Sequence, residues 1–191
     1  MRNAPVMRTQ RGFTLWEVVI TMVMVAILMA LAIPSYRYVT NKNRIAAEVN
    51  GLLGDMQFAR AEAIKEGQWI TVCVANGAGT GCAGAATSTW QNGWLIFIDV
   101  NGNGQFNAGD TILRQQAAFT STDTFVSTPA TGYVMFNREG FAAGGTTAAG
   151  VEIKLHALTA NSASTRCLSI TYAGLMTVQL YNQTNNTLTC N

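Results

Sequence analysis

Glu17 is the only charged residue among the twenty-one from Phe13 to Ile33, a run that is otherwise almost wholly apolar. A carboxylate at membrane depth costs about 2.5 to 3.5 kcal/mol on insertion scales, so it implies a function and needs a partner. The nearest partner is an α-amine, which a cut between Gly12 and Phe13 would create. An acid and an amine buried together cost far less than either alone. This is recognition chemistry: it can set the register of one helix against another.

A second arrangement is Asp99-Val-Asn101-Gly-Asn103-Gly-Gln-Phe-Asn107-Ala-Gly-Asp110. Its acids and amides fall at positions 1, 3, 5, 9 and 12 of a twelve-residue loop, with glycine at 6. That is the register of a calcium loop, and oxygen ligands suit calcium. Two features depart from it: position 12 is Asp rather than the longer Glu, and the flanks read as strands. The competing reading is a hairpin turn whose Asn and Gly residues need no metal.

Four cysteines, Cys73, Cys82, Cys167 and Cys190, all follow the apolar run. An even count in an oxidising compartment reads as two disulfides, with three possible pairings. Cys73–Cys82 and Cys167–Cys190 are favoured because each brackets a local loop or strand ribbon. Zinc is the weaker alternative, since the spacings are not zinc-like and only His156 could add a ligand. Enzyme chemistry finds little support. There is one histidine, no H-E-x-x-H, no G-x-S-x-G and no glycine-rich phosphate loop.

These residues must be carried on a few long elements. The run from Phe13 is long enough to cross a bilayer as a helix. Arg2, Arg8 and Arg11 precede it, which places the N-terminus on the cytoplasmic side and the bulk of the chain outside. The whole chain carries +2, but without those three arginines nine basic and ten acidic residues remain, a net −1. The basicity belongs to the leader and is no argument for a nucleic-acid partner. Pro34 is expected to kink the helix. Beyond it Ile45, Val49, Leu52, Leu53, Met56, Ala59, Ala63 and Ile64 recur at three- and four-residue spacing, an amphipathic stretch that Gly67 should stop.

From Gln68 the period changes to two. Strands are expected over 69–74, 94–100, 111–118, 133–137, 151–158, 167–172 and 177–181, with 77–89 and 142–150 as loops. One long helix followed by seven short strands predicts an α+β fold, with an antiparallel sheet packed on the helix's second half. The divisions expected are a leader over 1–12, a transmembrane and assembly helix over 13–40, an amphipathic half over 41–67 and a β-rich head over 68–191. Ala30-Leu31-Ala32 leaves open an ordinary secretory cut after Ala32, which Glu17 inside the apolar region opposes.

Arg11-Gly12-Phe13-Thr14-Leu15-Trp16-Glu17 and the apolar run up to Pro34 resemble the type IV prepilin signature. Phe58-Ala-Arg-Ala-Glu-Ala-Ile64, Val72-Cys73 and Trp90-Gln-Asn-Gly-Trp94-Leu-Ile-Phe-Ile-Asp99 resemble the GspH/FimT class of minor pilins and pseudopilins over roughly Arg11 to Arg114. The resemblance implies cleavage after Gly12 by prepilin peptidase, N-methylation of Phe13, and assembly through Phe13 and Glu17. It implies other minor and major pilins and the inner-membrane assembly platform as partners. The expected location is the inner membrane as a single-pass protein with its head in the periplasm, then a pilus or pseudopilus, at its tip. Two uses stay open beside priming of a type IV pilus: a minor pseudopilin of a type II secretion system, and a DNA-binding pilin for natural transformation. In the DNA-binding members a Gly-Arg-x-Arg motif makes the contact; the matching stretch here is Gly174-Leu175-Met176-Thr177, without either arginine. Arg114, Arg138, Lys154 and Arg166 are scattered, whereas phosphate binding needs clustered cations.

Overall fold

The fold is built on one helix, α1, which spans Leu15–Glu66 in a computed structural model of the chain. The structure describes residues 12–143, 151–156, 165–180, 184–185 and 188–190; residue 34 and residues 151–156, 184–185 and 188–189 are described by backbone alone. The helix continues through position 34 without a break in its assignment. Gly67 closes it, with φ 67° and its amide donating to the Ala63 carbonyl at 3.0 Å, the left-handed cap that glycine favours.

The chain divides into two compact units, Met1–Thr40 and Asn41–Asn191. In the first, no residue of the α1 window of highest hydropathy is buried. In the second, Ile45, Val49, Leu52, Met56, Ala59 and Ala63 are fully buried, alternating four and three apart so that they line one helical face. Ile64, read with that face from the sequence, is 53% exposed.

Eleven strands follow among the described residues. β1 (Ile70–Val74), β2 (Trp94–Ile98), β3 (Thr111–Gln116), β5 (Tyr133–Phe136) and β6 (Ala142–Ala143) form an antiparallel sheet in the order β3-β2-β1-β5-β6. β4 (Thr124–Thr128), β7 (Val151–His156), β8 (Arg166–Ile170) and β9 (Met176–Leu180) form a second in the order β4-β7-β8-β9. β10 (Thr184–Asn185) and β11 (Leu188–Thr189) make a short hairpin. The expected strands thus divide between two main sheets. β6 occupies the start of the segment read as a loop over 142–150, whose remaining part lies outside the described residues before Val151. Residues 157–158 and Tyr181 of the expected strands also lie outside them.

One core joins both sheets to the helix. Val72 and Val74 of β1, Trp94 and Ile96 of β2, Phe125 of β4, Phe136 of β5 and Ile170 of β8 pack with the buried residues of α1. A second cluster of Cys73, Ala75, Leu95 and Phe97 lies on the opposite face of β1 and β2, covered by Cys82, Phe106 and Tyr133. β1 is therefore buried on both faces along its length.

Candidate functional site

Thr14 opens α1. Its hydroxyl accepts from the Glu17 amide at 3.3 Å, and its carbonyl accepts from the amides of Glu17 and Val18 at 3.1 and 3.3 Å. Thr14-Leu-Trp-Glu17 has the spacing of a capping box, a signal present in the sequence and not read from it. Gly12 and Phe13 consequently precede the first helical turn in irregular backbone, with Phe13 82% exposed. Glu17 sits within the first turn, where the helix dipole favours a carboxylate. The scissile bond expected from the sequence is thus outside the helix, and the acid is just inside it.

In the head, the residues that carried the family resemblance hold the core together. Trp94 Nε1 donates to Asp55 Oδ2 at 2.8 Å, and Asp55 Oδ1 pairs with Arg114 at 3.3 Å. The Arg114 guanidinium lies 3.6 Å from the Phe58 ring centroid, a cation–π contact that also covers the ring. Trp94 meets Phe119 and Phe125 edge-on at 5.8 and 6.4 Å. Trp90 Nε1 donates to the Thr131 carbonyl at 3.0 Å. Gly93, at φ 86°, separates the two tryptophans in left-handed backbone, where a Cβ would collide with the Gln116 carbonyl. Arg60 donates to the carbonyls of Gly140 at 2.9 Å and Ala173 at 3.5 Å, tying the helix to the loops that follow β5 and β8.

The loop 99–110 covers the outer face of the first sheet. Phe106 packs edge-on against Phe97 at 5.4 Å. Asp99 is buried, and its carboxylate accepts from Thr71 Oγ1 at 2.8 Å and from the amides of Asn103 and Gly104 at 3.2 and 2.8 Å. Asp110 accepts from the amides of Val100 and Asn107. Asn101 and Asn103 each accept from the amide two residues on, the Asx-turn geometry. Oxygens that the twelve-residue register would offer to calcium are therefore engaged by the loop itself. Among the described residues no group of three or more His, Cys, Asp or Glu converges in a way that could hold a metal.

The four cysteines stand in two disulfides. Cys73–Cys82 joins β1 to the loop after it, and Cys167–Cys190 joins β8 to the chain's end, with Cα separations of 5.6 and 5.7 Å. Among the described side chains the scattered cations do not converge. Arg114 serves Asp55, Arg138 pairs with Glu139 at 2.8 Å, and Arg166 donates to the Thr165 carbonyl. The register pairs Lys154 with Cys167 and Leu155 with Arg166, so Lys154 and Arg166 do not form a cross-strand pair. His156 ends β7 opposite Thr124.

Sequence reasoning missed a charged cluster that joins the second half of α1 to the residues before β4. Arg44 makes a two-pronged contact with Asp123: Nε to Oδ2 at 2.8 Å and NH2 to Oδ1 at 2.9 Å. Asp123 is buried, with 1% of its side chain exposed. Glu48, one turn along, accepts from Ser121 through Oε1, while Oε2 is buried without a partner. Burial above all, then the Asp123 charge, pushes the Glu48 carboxyl up from its ordinary value; Arg44 and the Ser121 hydroxyl oppose this. The i, i+4 spacing of Arg44 and Glu48 was visible, but Asp123, which pairs with Arg44, lies 79 residues from it.

Residues 48–174, about two thirds of the chain, match the family profile described as Type II transport protein GspH. The chain belongs to the GspH family. Residues 7–33 also match the prokaryotic N-terminal methylation motif. Two crystal structures of the type IV minor pilin FimU of Pseudomonas aeruginosa, in two crystal forms, share the fold. One matches with a TM-score of 0.54 at 21% identity, over 74% of this chain and 90% of that one. The other matches with a TM-score of 0.50 at 20% identity, over 72% and 91%. No curated protein sequence matches significantly. GspH-family membership makes the chain a structural pilin of the minor pilin and pseudopilin type, processed by prepilin peptidase and associating with other pilins.

Proposed function

We propose that this GspH-family chain is a minor pilin that primes a type IV pilus and is incorporated into it after cleavage between Gly12 and Phe13. The observation that carries the proposal is the N-terminal arrangement. A methylation motif spans residues 7–33; within it Gly12–Phe13 lies in irregular backbone, and a capped helix then starts with Glu17 in its first turn and an unburied apolar surface behind it. Before assembly the apolar half of α1 holds the chain in the inner membrane, with the head in the periplasm. In the filament that half packs against the helices of other pilins, and Glu17 meets a Phe N-terminal amine. Nucleating a filament is harder than extending it, so a subunit of this kind acts at the tip. Mass spectrometry of the chain isolated from membranes tests the first step. A mature N-terminus at N-methyl-Phe13 is expected; a start at Ile33, after Ala32, contradicts it.

The second reading, a minor pseudopilin of a type II secretion system, is favoured by the description of the family profile and uses the same parts. Partners recovered with the chain separate the two. Nucleic acid receives less support, because the turn at Gly174 carries no arginine and the head's described arginines serve other groups. A calcium cofactor is not part of the proposal, since the loop 99–110 is closed by its own hydrogen bonds.

A further inference from the structure

Arg60 has a surplus of donors. Its guanidinium carries five N–H groups. Two contacts are made, both to carbonyl oxygens, and neither neutralises the charge. Among the described residues no carboxylate pairs with it: Lys65 takes both Glu62 and Glu66, and Arg138 takes Glu139. Backbone geometry holds it in place. Gly140 and Gly174 both have positive φ, and a Cβ on Gly174 would collide with the Gly140 carbonyl, so the two loops close directly over the guanidinium. Beside Arg60 lies a cavity of about 310 Å³, whose other walls include Gln57, Ala61, Ile64, Leu175 and Met176. Ile64 and Leu175 are each more than half exposed.

We propose that this cavity takes a carboxylate flanked by an apolar side chain, presented by a neighbouring subunit. Charge complementarity sets the first half of the ligand. A guanidinium pairs best with a planar carboxylate, which it can grip with two N–H groups. The wall sets the second half, since Ala61, Ile64, Leu175 and Met176 offer only apolar surface. A nucleic-acid backbone fits poorly, because phosphate chains need several cations and this cavity has one. That the ligand belongs to a neighbouring subunit rests on the pilin reading; the carboxylate chemistry does not.

The test uses the full chain in detergent micelles with its arginine side chains labelled for NMR. Millimolar N-acetyl-leucine serves as the probe. N-acetyl-leucine amide, which lacks the charge, and inorganic phosphate, which lacks the apolar group, serve as controls. Arg60 itself cannot be the test variant, because it also holds two loops. Ala61→Trp fills the cavity from an exposed helix position and leaves the core untouched. The expected result is a saturable shift of the Arg60 Nε–H resonance. Both controls and the Ala61→Trp chain should bind at least about tenfold more weakly, with the variant's melting midpoint unchanged. In cells, Ala61→Trp should lower incorporation of the subunit into filaments several-fold, while cleavage at Phe13 proceeds normally. Absence of a saturable shift overturns the proposal, as does equal binding of amide or phosphate. Saturable binding with normal incorporation of Ala61→Trp overturns the neighbouring subunit as occupant. A cut elsewhere than Gly12–Phe13 would instead count against the pilin reading, so the two failures are distinguishable.

Discussion

At the residue scale, Glu17 has two roles that physics allows. In the first turn of α1 it is a favourable end-charge, following the Thr14 cap. In an assembled filament it is the acid that meets an amine. The two roles separate on mutation. Replacing a first-turn acid by alanine costs an exposed helix only about 0.3 to 1 kcal/mol, too little to prevent insertion or cleavage. Removing one partner of a buried acid–amine pair costs about 3 to 5 kcal/mol, enough to exclude the subunit from a filament. Glu17→Ala should therefore be cleaved at the normal rate and be absent from sheared filaments. Normal incorporation would refute the pairing. Legibility at this scale was uneven. Glu17 was plain because a lone acid in an apolar run has few explanations. The Thr14 cap has the right spacing, but its signal shares Glu17 with the stronger signal of a lone acid in an apolar run. The Trp90–Trp94 motif, which carries the family resemblance, spends its indole groups inside the fold, on Thr131 and Asp55.

At the element scale, the sequence signal failed where packing departs from simple alternation. β4 reads Thr-Phe-Val-Ser-Thr, and one of its two buried positions is Ser127, whose hydroxyl exchanges hydrogen bonds with Thr131 at 2.8 and 2.9 Å. A polar residue at an inward position erases the period-two pattern, so the strand was not expected. The division into two sheets was hidden for a different reason: β7, β8 and β9 pair in sequence order, and no local signal shows that β7 then pairs with β4 instead of joining the first sheet. The loop 99–110 matched a calcium register because Asp and Asn at odd positions suit both metal ligation and Asx turns. With Asp99 and Asp110 holding backbone amides, millimolar calcium should leave the melting midpoint of the chain unchanged; a rise of several degrees would support the metal reading. Glu48 makes a second element-scale prediction. Its folded-state value lies above its ordinary 4.5, so the native chain holds this proton more tightly than the unfolded chain does. Its contribution to stability is then fully present below the unfolded value and is lost as pH rises through the folded value. Glu48→Gln keeps an acceptor for Ser121 and removes the charge beside Asp123. It should raise the melting midpoint at neutral pH, and the gain should vanish below about pH 4. A gain independent of pH would assign the effect to packing.

At the scale of the whole molecule, two units do different work. The described residues from Gly12 to Thr40 present apolar surface with one acid, and residues from Asn41 carry a core of their own, closed by two disulfides. The α+β architecture was legible because a change of period from 3.6 to 2 at Gln68 is a strong signal and Gly67 marks it. The function class was legible for a different reason: the N-terminal motif is long and has few alternative uses. What separates a pilus from a secretion system is the choice of neighbours, and that choice lies on partner surfaces with no periodic signature. The central claim is that this chain primes a type IV pilus. The most direct test is a count of surface pili, by shearing and microscopy, in a clean deletion strain complemented with the wild-type gene. Pili should be lost or reduced to a few per cent and return on complementation, the effect of adding about 2 kcal/mol to a nucleation barrier. A normal number of pili on the deletion strain would contradict it.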